Sequence, residues 1–491
     1  MLLKALQKTI VFENETTSYL ERECCAVFEK KKPATEDGGD SVADEPDSSV
    51  VPPLVGRASV AFQNYMGPYI RLEEQSMGEQ ITKALEDRTV DTRGERPVYI
   101  SSTNLFVYMK GSITRCTALT KGNAFFLLYG AFKDSLKQYA QMIDGKLPVA
   151  TQQTNNVGGI VIPFGGKQEE RAATTASYRI PPNEEITVCH VVSTCEYCAD
   201  TMEVLEDLVR NTIDDDYKGK IDMISDQEQF HDITAKCIRV LVSGLTNRLE
   251  GPLKEMTAIK WETWDAVGEE SPYVLDVHEA IEPFVKTVRK LLPTSYFRSF
   301  CDKFANTFAV TYFESLVGLK RISEPGTQQL LLDLYNLKTL FLKLPILEES
   351  STLPGKANVS SGGASIAPAI YTKTIQRNFG KMEMILKLVG TPNNLLCDNF
   401  KVQWQGGTVA DIQLIMNLKG MKRPEQVTLL EKFGFDTPSA LKGATAGLTS
   451  ASIVSERVQQ LQDQGSTVAA KVNSDLNQMR QKVDDFRKTF R

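Results

Sequence analysis

The residues best suited to chemistry in this chain are three cysteines and a histidine that lie close together, Cys189, His190, Cys195 and Cys198. A Cys-x-x-Cys pair beside a Cys-His pair supplies a ligand set that Zn²⁺ accepts. The surrounding apolar residues recur at helical spacing, however, and predict one continuous helix. Roughly 100° per residue places Cys189 about 240° around that helix from Cys195, so one ion cannot bind both thiols. We interpret the cysteines as small core residues, with a metal or thiol-redox module as the alternative.

A glycine-rich segment, 158–168 (GGIVIPFGGKQ), partly resembles a phosphate-binding loop. That motif needs a glycine five residues before Gly166, and a serine or threonine directly after Lys167. The chain has Val161 and Gln168 at these two positions. Because both required residue types are absent, we predict a surface loop here rather than a nucleotide site.

Acid–base and hydrolytic catalysis find little support in the sequence. The chain has 3 histidines, His190, His231 and His278, and they are widely separated. Acidic runs such as Asp214–Asp216 and Glu269–Glu270 fall in predicted turns and helix ends, where charged runs are usually solvated. Neither a GxSxG motif nor an HExxH motif occurs. We therefore predict a protein that is not an enzyme and needs no cofactor.

Charge and cysteine content narrow the class of protein further. The net charge is −6, and acidic and basic residues are mixed along the chain, which argues against a nucleic-acid surface. The 9 cysteines, an odd number in a large chain, favour a reducing compartment over a disulfide framework. No apolar run reaches the length of about 18 residues that a membrane span needs. We expect a cytosolic protein that reaches membranes through its partners.

The elements that hold these residues are predicted to be helices throughout. The clearest lie between Ser271 and Pro345, where three apolar stripes recur at three- and four-residue steps. A single helix cannot bury such a stripe, so these three helices should pack as a bundle. Their predicted ranges are 272–292, 295–319 and 327–344. The other predicted helices cover 60–90, 101–118, 123–145, 182–213, 226–250, 371–389, 394–403, 408–419 and 424–433.

Composition divides the chain into helical regions and polar linkers, and the expected fold is all-α. The helical regions are an N-terminal helix over 1–32, a bundle region over 59–344, a small bundle over 370–434 and a coiled-coil helix over 450–491. The linkers are an acidic one over 33–58, a second over 345–369 and a third over 435–449. We expect the helical bundles to stack end to end into a rod.

The C-terminal coiled-coil helix contains the candidate partner-binding residues. They form a narrow apolar seam that consists of Val468, Val472, Leu476, Met479, Val483 and Phe486. A narrow seam with charged flanks is typical of a helix that pairs with one or two other helices. Because basic residues flank the end of the seam, we expect an acidic amphipathic helix of another subunit or of a SNARE protein as the partner. A tail that folds back on the bundle of its own chain is the alternative.

Several of these stretches also carry a family resemblance. In chain order they are SPYV, FCDKFANTF, GTQQLLLDLYNLK and YTKTIQRNFGKMEMILKLVG. Together they resemble the C-terminal half of the vacuolar protein sorting fifty-three family. The similarity extends from about Phe62 to about Glu431, and no single motif within it is chemically diagnostic.

The resemblance implies a function. That family supplies a subunit of the Golgi-associated retrograde protein complex and of the related endosome-associated recycling complex. The resemblance implies a vesicle-tethering subunit in endosome-to-Golgi retrograde transport and endocytic recycling, peripheral on trans-Golgi network and endosome membranes. The implied partners are other subunits of the tether, SNARE proteins and small GTPases. The family has an upstream coiled-coil region that joins the other subunits, and the resemblance covers the part of the family's sequence that follows it. A scaffold subunit of another tether, such as the exocyst, is the alternative.

Overall fold

The computed structural model describes four ranges of the chain, and these ranges are almost entirely helical. They are residues 2–29, 54–149, 178–346 and 367–434, apart from the single residues 55, 95, 406 and 433. Every regular element in them is a helix except for one pair of two-residue strands. The prediction of an all-α fold is confirmed.

The chain divides into two compact units, and each unit consists of two separate segments of the sequence. Unit 1 consists of residues 1–148 and 186–237, and unit 2 of residues 149–185 and 238–491. Two long helices therefore begin in one unit and end in the other. The predicted coiled-coil helix over 450–491 lies outside the described residues, and the rod stays a prediction.

Unit 1 contains the first helices of the chain and the short strand pair. Its elements are α1 (Leu2–Glu29), a 3-10 helix (Ser59–Tyr65), α2 (Gly67–Glu86), β1 (Val90–Asp91), β2 (Val98–Tyr99), α3 (Ile100–Thr117), α4 (Asn123–Asp144), most of α5 (Glu184–Thr212), α6 (Asp215–Lys218) and the first part of α7 (Ile224–Arg248). α2, α3 and α4 pack on one another, and each buries one apolar face.

Unit 2 contains the end of α7 and all later elements. They are α8 (Glu250–Ala258), a 3-10 helix (Trp261–Thr263), α9 (Pro272–Leu291), α10 (Thr294–Val317), α11 (Glu324–Lys343), a 3-10 helix (Leu344–Ile346), α12 (Ala369–Gly390), α13 (Leu396–Gln403), α14 (Val409–Leu418) and α15 (Arg423–Lys432). The three helices predicted between Ser271 and Pro345 are α9, α10 and α11, and their apolar stripes are buried.

The centre of unit 2 is a ladder of aromatic rings. Phe300, Phe304 and Phe308 lie one turn apart on α10, and successive ring centroids are 5.9 and 6.4 Å apart. Phe341 of α11 lies 4.5 Å from Phe308, and Phe379 of α12 lies 5.7 Å from Phe341. Centroid distances of this size are typical of attractive aromatic pairs, which add to the free energy gained by burial. The ladder thus joins three consecutive helices of unit 2.

A buried ionic cluster joins two helices of unit 1. The Glu73 carboxylate on α2 accepts hydrogen bonds from Arg115 Nη2 at 2.7 Å, Ser112 Oγ at 2.6 Å and Tyr108 Oη at 2.7 Å. Burial by itself raises the pKa of Glu73, but these hydrogen bonds outweigh it and lower the pKa to about 2. A buried carboxylate with this many donors stays ionised, so the cluster fixes α3 against α2.

Two predicted helix boundaries were wrong, and proline explains both. The helix predicted over 60–90 is a 3-10 helix followed by α2, because Pro68 lies in the first turn of α2 and disfavours continuation from the preceding residues. The helix predicted over 327–344 begins three residues earlier, because Glu324-Pro325-Gly326 forms the first turn of α11. There the Ser323 side chain accepts a hydrogen bond from the Gly326 amide at 3.1 Å and caps the helix.

The sequence predicted neither the strand pair nor three short helical elements, which are α6, α8 and the 3-10 helix over Trp261–Thr263. β1 and β2 pair antiparallel with Val90 opposite Tyr99 and Asp91 opposite Val98. Strands of two residues are too short to show the alternating pattern by which strands are predicted. The Tyr99 amide donates to Thr194 Oγ1 of α5 at 3.0 Å, so the pair fixes the start of α3 within unit 1.

Candidate partner-binding surfaces

The cysteine cluster belongs to the core of unit 1. Cys189, Cys195 and Cys198 all lie on α5 and are at most 1% exposed. Burial raises the pKa of the Cys195 and Cys198 thiols, so both stay protonated and poorly nucleophilic. In the part of the chain that the structure describes, no group of three or more His, Cys, Asp or Glu side chains could hold a metal ion. The interpretation of these thiols as core residues is confirmed.

The remaining residues considered for chemistry are not brought together. His190 lies against the Tyr99 ring in unit 1, and burial lowers the pKa of its imidazole. His231 is exposed on α7, and His278 lies on α9 in unit 2. The glycine-rich segment 158–168 lies outside the described residues. The described histidines therefore form no catalytic constellation.

The six seam residues of the tail also lie outside the described residues. They are Val468, Val472, Leu476, Met479, Val483 and Phe486. Their role in binding a partner stays a prediction. Candidate surfaces in the described structure must therefore be found from exposed apolar side chains and grooves.

One such surface is a groove between α9 and α11 in unit 2. Its volume is about 770 Å³. Leu275 is 48% exposed and Tyr335 is 63% exposed, and both line the groove. We call this groove, with the turn that precedes α9, the acidic groove, because Glu269, Glu270 and Glu282 are among its lining residues. Lys343 is the single basic residue among the side chains that line it.

Hydrogen bonds to α11 hold the turn at one end of the acidic groove. The Gln329 side chain donates to the Glu269 carbonyl oxygen at 2.7 Å and accepts from the Gly268 amide at 3.0 Å. Asn336 Nδ2 donates to the Glu270 carboxylate at 3.0 Å. Because both polar side chains come from one helix, the backbone of the turn and the Glu270 carboxylate keep a fixed place at this end.

A buried aspartate sets the alignment of α9 beside α11. Asp333 is fully buried, and its Oδ1 accepts from the Ser271 amide, at the start of α9, at 3.0 Å. Burial raises the pKa of Asp333, and the hydrogen bonds from Ser271 and Gln329 offset only part of that effect. Capping the first turn of α9 satisfies an otherwise unpaired amide. This alignment makes the two helices parallel neighbours, which leaves a groove between them.

A second surface is the exposed face of α1 in unit 1. Only Leu6 and Glu13 of this helix are buried among the side chains that the structure describes. Glu13 accepts hydrogen bonds from the Gly56 amide at 3.0 Å and the Ser59 amide at 2.9 Å, which holds α1 against the 3-10 helix. Phe12 and Tyr19 are exposed at a spacing of seven residues and thus share one face.

Sequence comparison places the chain among known proteins. The family model described as Vacuolar protein sorting-associated protein 53 C-terminus matches residues 328–421, and the one described as Exocyst complex component Sec6 matches residues 125–361. Vacuolar protein sorting-associated protein 53 A of Arabidopsis thaliana is 29% identical over 395 residues, which is 80% of this chain. The chain is a relative of the vacuolar protein sorting-associated protein 53 proteins. The resemblance inferred from its sequence is confirmed.

A second relative agrees, and both are longer than this chain. The Vacuolar protein sorting-associated protein 53 homolog of Caenorhabditis elegans is 26% identical over 388 residues, which is 76% of this chain. The matched part is 44% of the Arabidopsis protein and 46% of the Caenorhabditis protein. The chain thus spans less than half the length of these vacuolar protein sorting-associated relatives.

Comparison with solved structures gives two matches of low similarity. The crystal structure of the C-terminal domain of the exocyst subunit Sec6p is 11% identical, with a TM-score of 0.49 over 80% of this chain and 98% of that chain. The crystal structure of M-Sec is also 11% identical, with a TM-score of 0.40 over 81% of this chain and 59% of that one.

Among the described helices, none combines the length and apolar composition that crossing a bilayer requires.

Proposed function

We propose that this protein is a non-enzymatic subunit of a multisubunit vesicle-tethering complex that acts in endosome-to-Golgi retrograde transport and in endocytic recycling. The observation that carries the proposal is the sequence relationship to vacuolar protein sorting-associated protein 53 A, which extends over 80% of the chain. The all-α architecture with exposed apolar side chains on α1 and in the acidic groove supports a protein that binds other proteins.

The mechanism is one of proximity. A tether that binds a carrier vesicle and a target membrane at the same time raises their effective concentration, so fusion proteins meet more often. The subunit contributes binding surfaces to this process rather than a reaction. Its partners are the other subunits of the tether, SNARE proteins and small GTPases, and it is peripheral on trans-Golgi network and endosome membranes through them.

We place a contact with another subunit on α1. An apolar pair seven residues apart on an otherwise solvated helix suits a partner helix. Phe12→Asp with Tyr19→Asp should therefore abolish co-purification of the complex, while the melting temperature of the chain stays unchanged. The matched control is Gln7→Asp with Asn14→Asp, which adds the same charge at the same spacing on exposed positions of α1. If both double variants co-purify normally, α1 is not the assembly surface.

A second candidate is a subunit of the exocyst, which the match of residues 125–361 to the Sec6 model favours. Affinity capture of the tagged full chain with quantitative mass spectrometry separates the two. Stoichiometric recovery of subunits of the Golgi-associated retrograde or endosome-associated recycling complex supports the proposal. Recovery of exocyst subunits instead supports the second candidate, and recovery of neither set contradicts both.

A further inference from the structure

The acidic groove in unit 2 has the dimensions of a short amphipathic helix. On α9 its lining residues run from Leu275 to Glu282, and on α11 they run from Leu332 to Lys343. The rise from Leu332 to Lys343, which is eleven steps along the helix, is about 17 Å at 1.5 Å per residue. A guest helix of about three turns therefore fills the groove, with apolar side chains against Leu275 and Tyr335.

The groove also leaves a polar atom without a partner. His278 Nε2 is buried and has no hydrogen-bond partner among the described residues. A buried polar atom without a partner costs free energy. His278 is among the residues that line the groove, so an occupant would lie beside it.

We infer that the occupant of the acidic groove is the tail of this same chain, with Leu476, Met479, Val483 and Phe486 as its apolar anchors. These four residues span about 15 Å of helix, which matches the length of the groove. The tail then binds the bundle of its own chain, which is one of the two alternatives that the sequence leaves open for the seam. This contact does not depend on the proposed function.

The charges of the tail match those of the groove. At about 100° per residue, Arg480, Lys482 and Arg487 lie within about 80° of the centre of the seam. Asp484 and Asp485 lie at about 120° or more from that centre, where they face solvent. The charges nearest the anchors are thus mainly basic, and the groove presents Glu269, Glu270 and Glu282 to them.

The distribution of charge also sets the direction of the tail. Arg487 and Arg491 follow the last anchor, Phe486, and would meet the acidic turn before α9. Asp475 precedes the first anchor and would meet Lys343 at the other end of the groove. The tail helix would then run antiparallel to both α9 and α11, so that helix dipoles of opposite direction lie side by side.

The chain is long enough to reach the groove. The Ile322 amide, just before α11, donates to the Leu418 carbonyl oxygen of α14 at 2.9 Å, so α14 ends near the start of α11. α11 is about 30 Å long, and the predicted linker over 435–449 reaches up to about 50 Å when extended, before the predicted helix over 450–491 begins. Such a link gives an effective concentration in the millimolar range, so a contact with a dissociation constant of about 0.1 mM would be about nine-tenths occupied.

Two tyrosines of equal exposure provide the test. Tyr335 in the groove and Tyr65 in unit 1 are both 63% exposed in the described structure. Hydroxyl-radical footprinting of the full chain should label Tyr335 about tenfold more slowly than Tyr65, because the tail covers it for about nine-tenths of the time. Met479→Asp with Val483→Asp should make the two rates equal. The matched control, Ser474→Asp with Gln481→Asp, adds the same charge on the opposite side of the tail and should keep Tyr335 protected.

Charge reversal tests the direction of docking. Glu269→Lys with Glu270→Lys, and separately Arg487→Glu with Arg491→Glu, should each speed the labelling of Tyr335, and all four substitutions together should restore its protection. Equal labelling of Tyr335 and Tyr65 in the unsubstituted chain would overturn the inference. Protection that appears only as protein concentration rises, together with a dimer mass in light scattering, would assign the groove to a second copy and would also overturn it.

Discussion

Phe308 of α10 and Phe341 of α11 stack with their ring centroids 4.5 Å apart and their planes inclined by 26°. Phe308 also stacks on Tyr312 of its own helix and on Phe379 of α12, and it lies tilted against Phe304, so one ring contacts three helices of unit 2. The aromatic stripe of α10 is thus a packing core, and it is unavailable as a groove for a partner.

Phe308→Ala should lower the free energy of unfolding of unit 2 by about 3–5 kcal/mol, since it removes a buried ring and leaves a cavity. Urea denaturation monitored by circular dichroism measures this change. Phe12→Ala removes the same side chain from an exposed position and should change stability by less than about 0.5 kcal/mol. A loss below about 1 kcal/mol for Phe308→Ala would contradict the role of the ladder.

Glu73→Gln should destabilise unit 1 by about 1–3 kcal/mol at neutral pH, because the donors of Arg115, Ser112 and Tyr108 lose a charged acceptor. The folded-state pKa of Glu73 is about 2, below its ordinary value of 4.5. Its stabilising contribution is therefore present above about pH 4.5 and is lost as pH falls towards 2.

The difference in stability between the wild-type chain and Glu73→Gln should accordingly shrink between about pH 4.5 and 2. Urea midpoints across this pH range provide the measurement. Glu74→Gln, an exposed neighbour on α2, is the control and should leave the midpoint unchanged. A difference that stays constant down to pH 2 would show that Glu73 is not held ionised by the cluster.

Gly326→Ala should destabilise the first turn of α11. A Cβ atom at this position would lie 2.8 Å from the Trp261 carbonyl oxygen, so the backbone must shift to admit it. A loss of about 1–3 kcal/mol is expected from this overpacking. Gly78→Ala on α2 meets no atom within 4 Å and should stabilise the chain by about 0.5–1 kcal/mol. Thermal unfolding of both variants would reveal whether their effects differ in sign.

The thiols of α5 should be unreactive in the native protein. Cys195 and Cys198 are buried and protonated, so a maleimide reagent should label them only after denaturation. Elemental analysis of the purified chain should find no stoichiometric zinc. Rapid native labelling at these positions, or one zinc ion per chain, would favour the metal or redox alternative.

The predicted linkers should be the first sites of proteolysis. Residues 33–58 and 345–369 are polar and rich in Ser, Gly and Pro, and proteases cut such exposed segments preferentially. Limited trypsin and Glu-C digestion with mass spectrometry of the fragments locates the cuts. Early cleavage within α9, α10 or α11, with both linkers intact, would show that the predicted segment boundaries are wrong.

Local periodicity was sufficient to predict most helices. The stripes of α9, α10 and α11 recur at helical spacing because each helix must bury one face. The apolar residues of that face are only a few positions apart, so the sequence alone shows them. The cysteines of α5 could be assigned to the core for the same reason. The two wrong boundaries lie at prolines, which permit a helix to start but do not show where the preceding turn ends.

The acidic groove, in contrast, was decided by tertiary structure. Leu275 and Tyr335 are about 60 residues apart, and they line one groove because Asp333 and Gln329 of α11 hold the residues that precede α9. In the sequence, the groove was indicated only by Leu275, an apolar residue that lies out of phase with the buried stripe of α9. Helical spacing depends on neighbours along the chain, whereas the groove depends on which helices become neighbours in space, and that choice comes from packing the whole of unit 2.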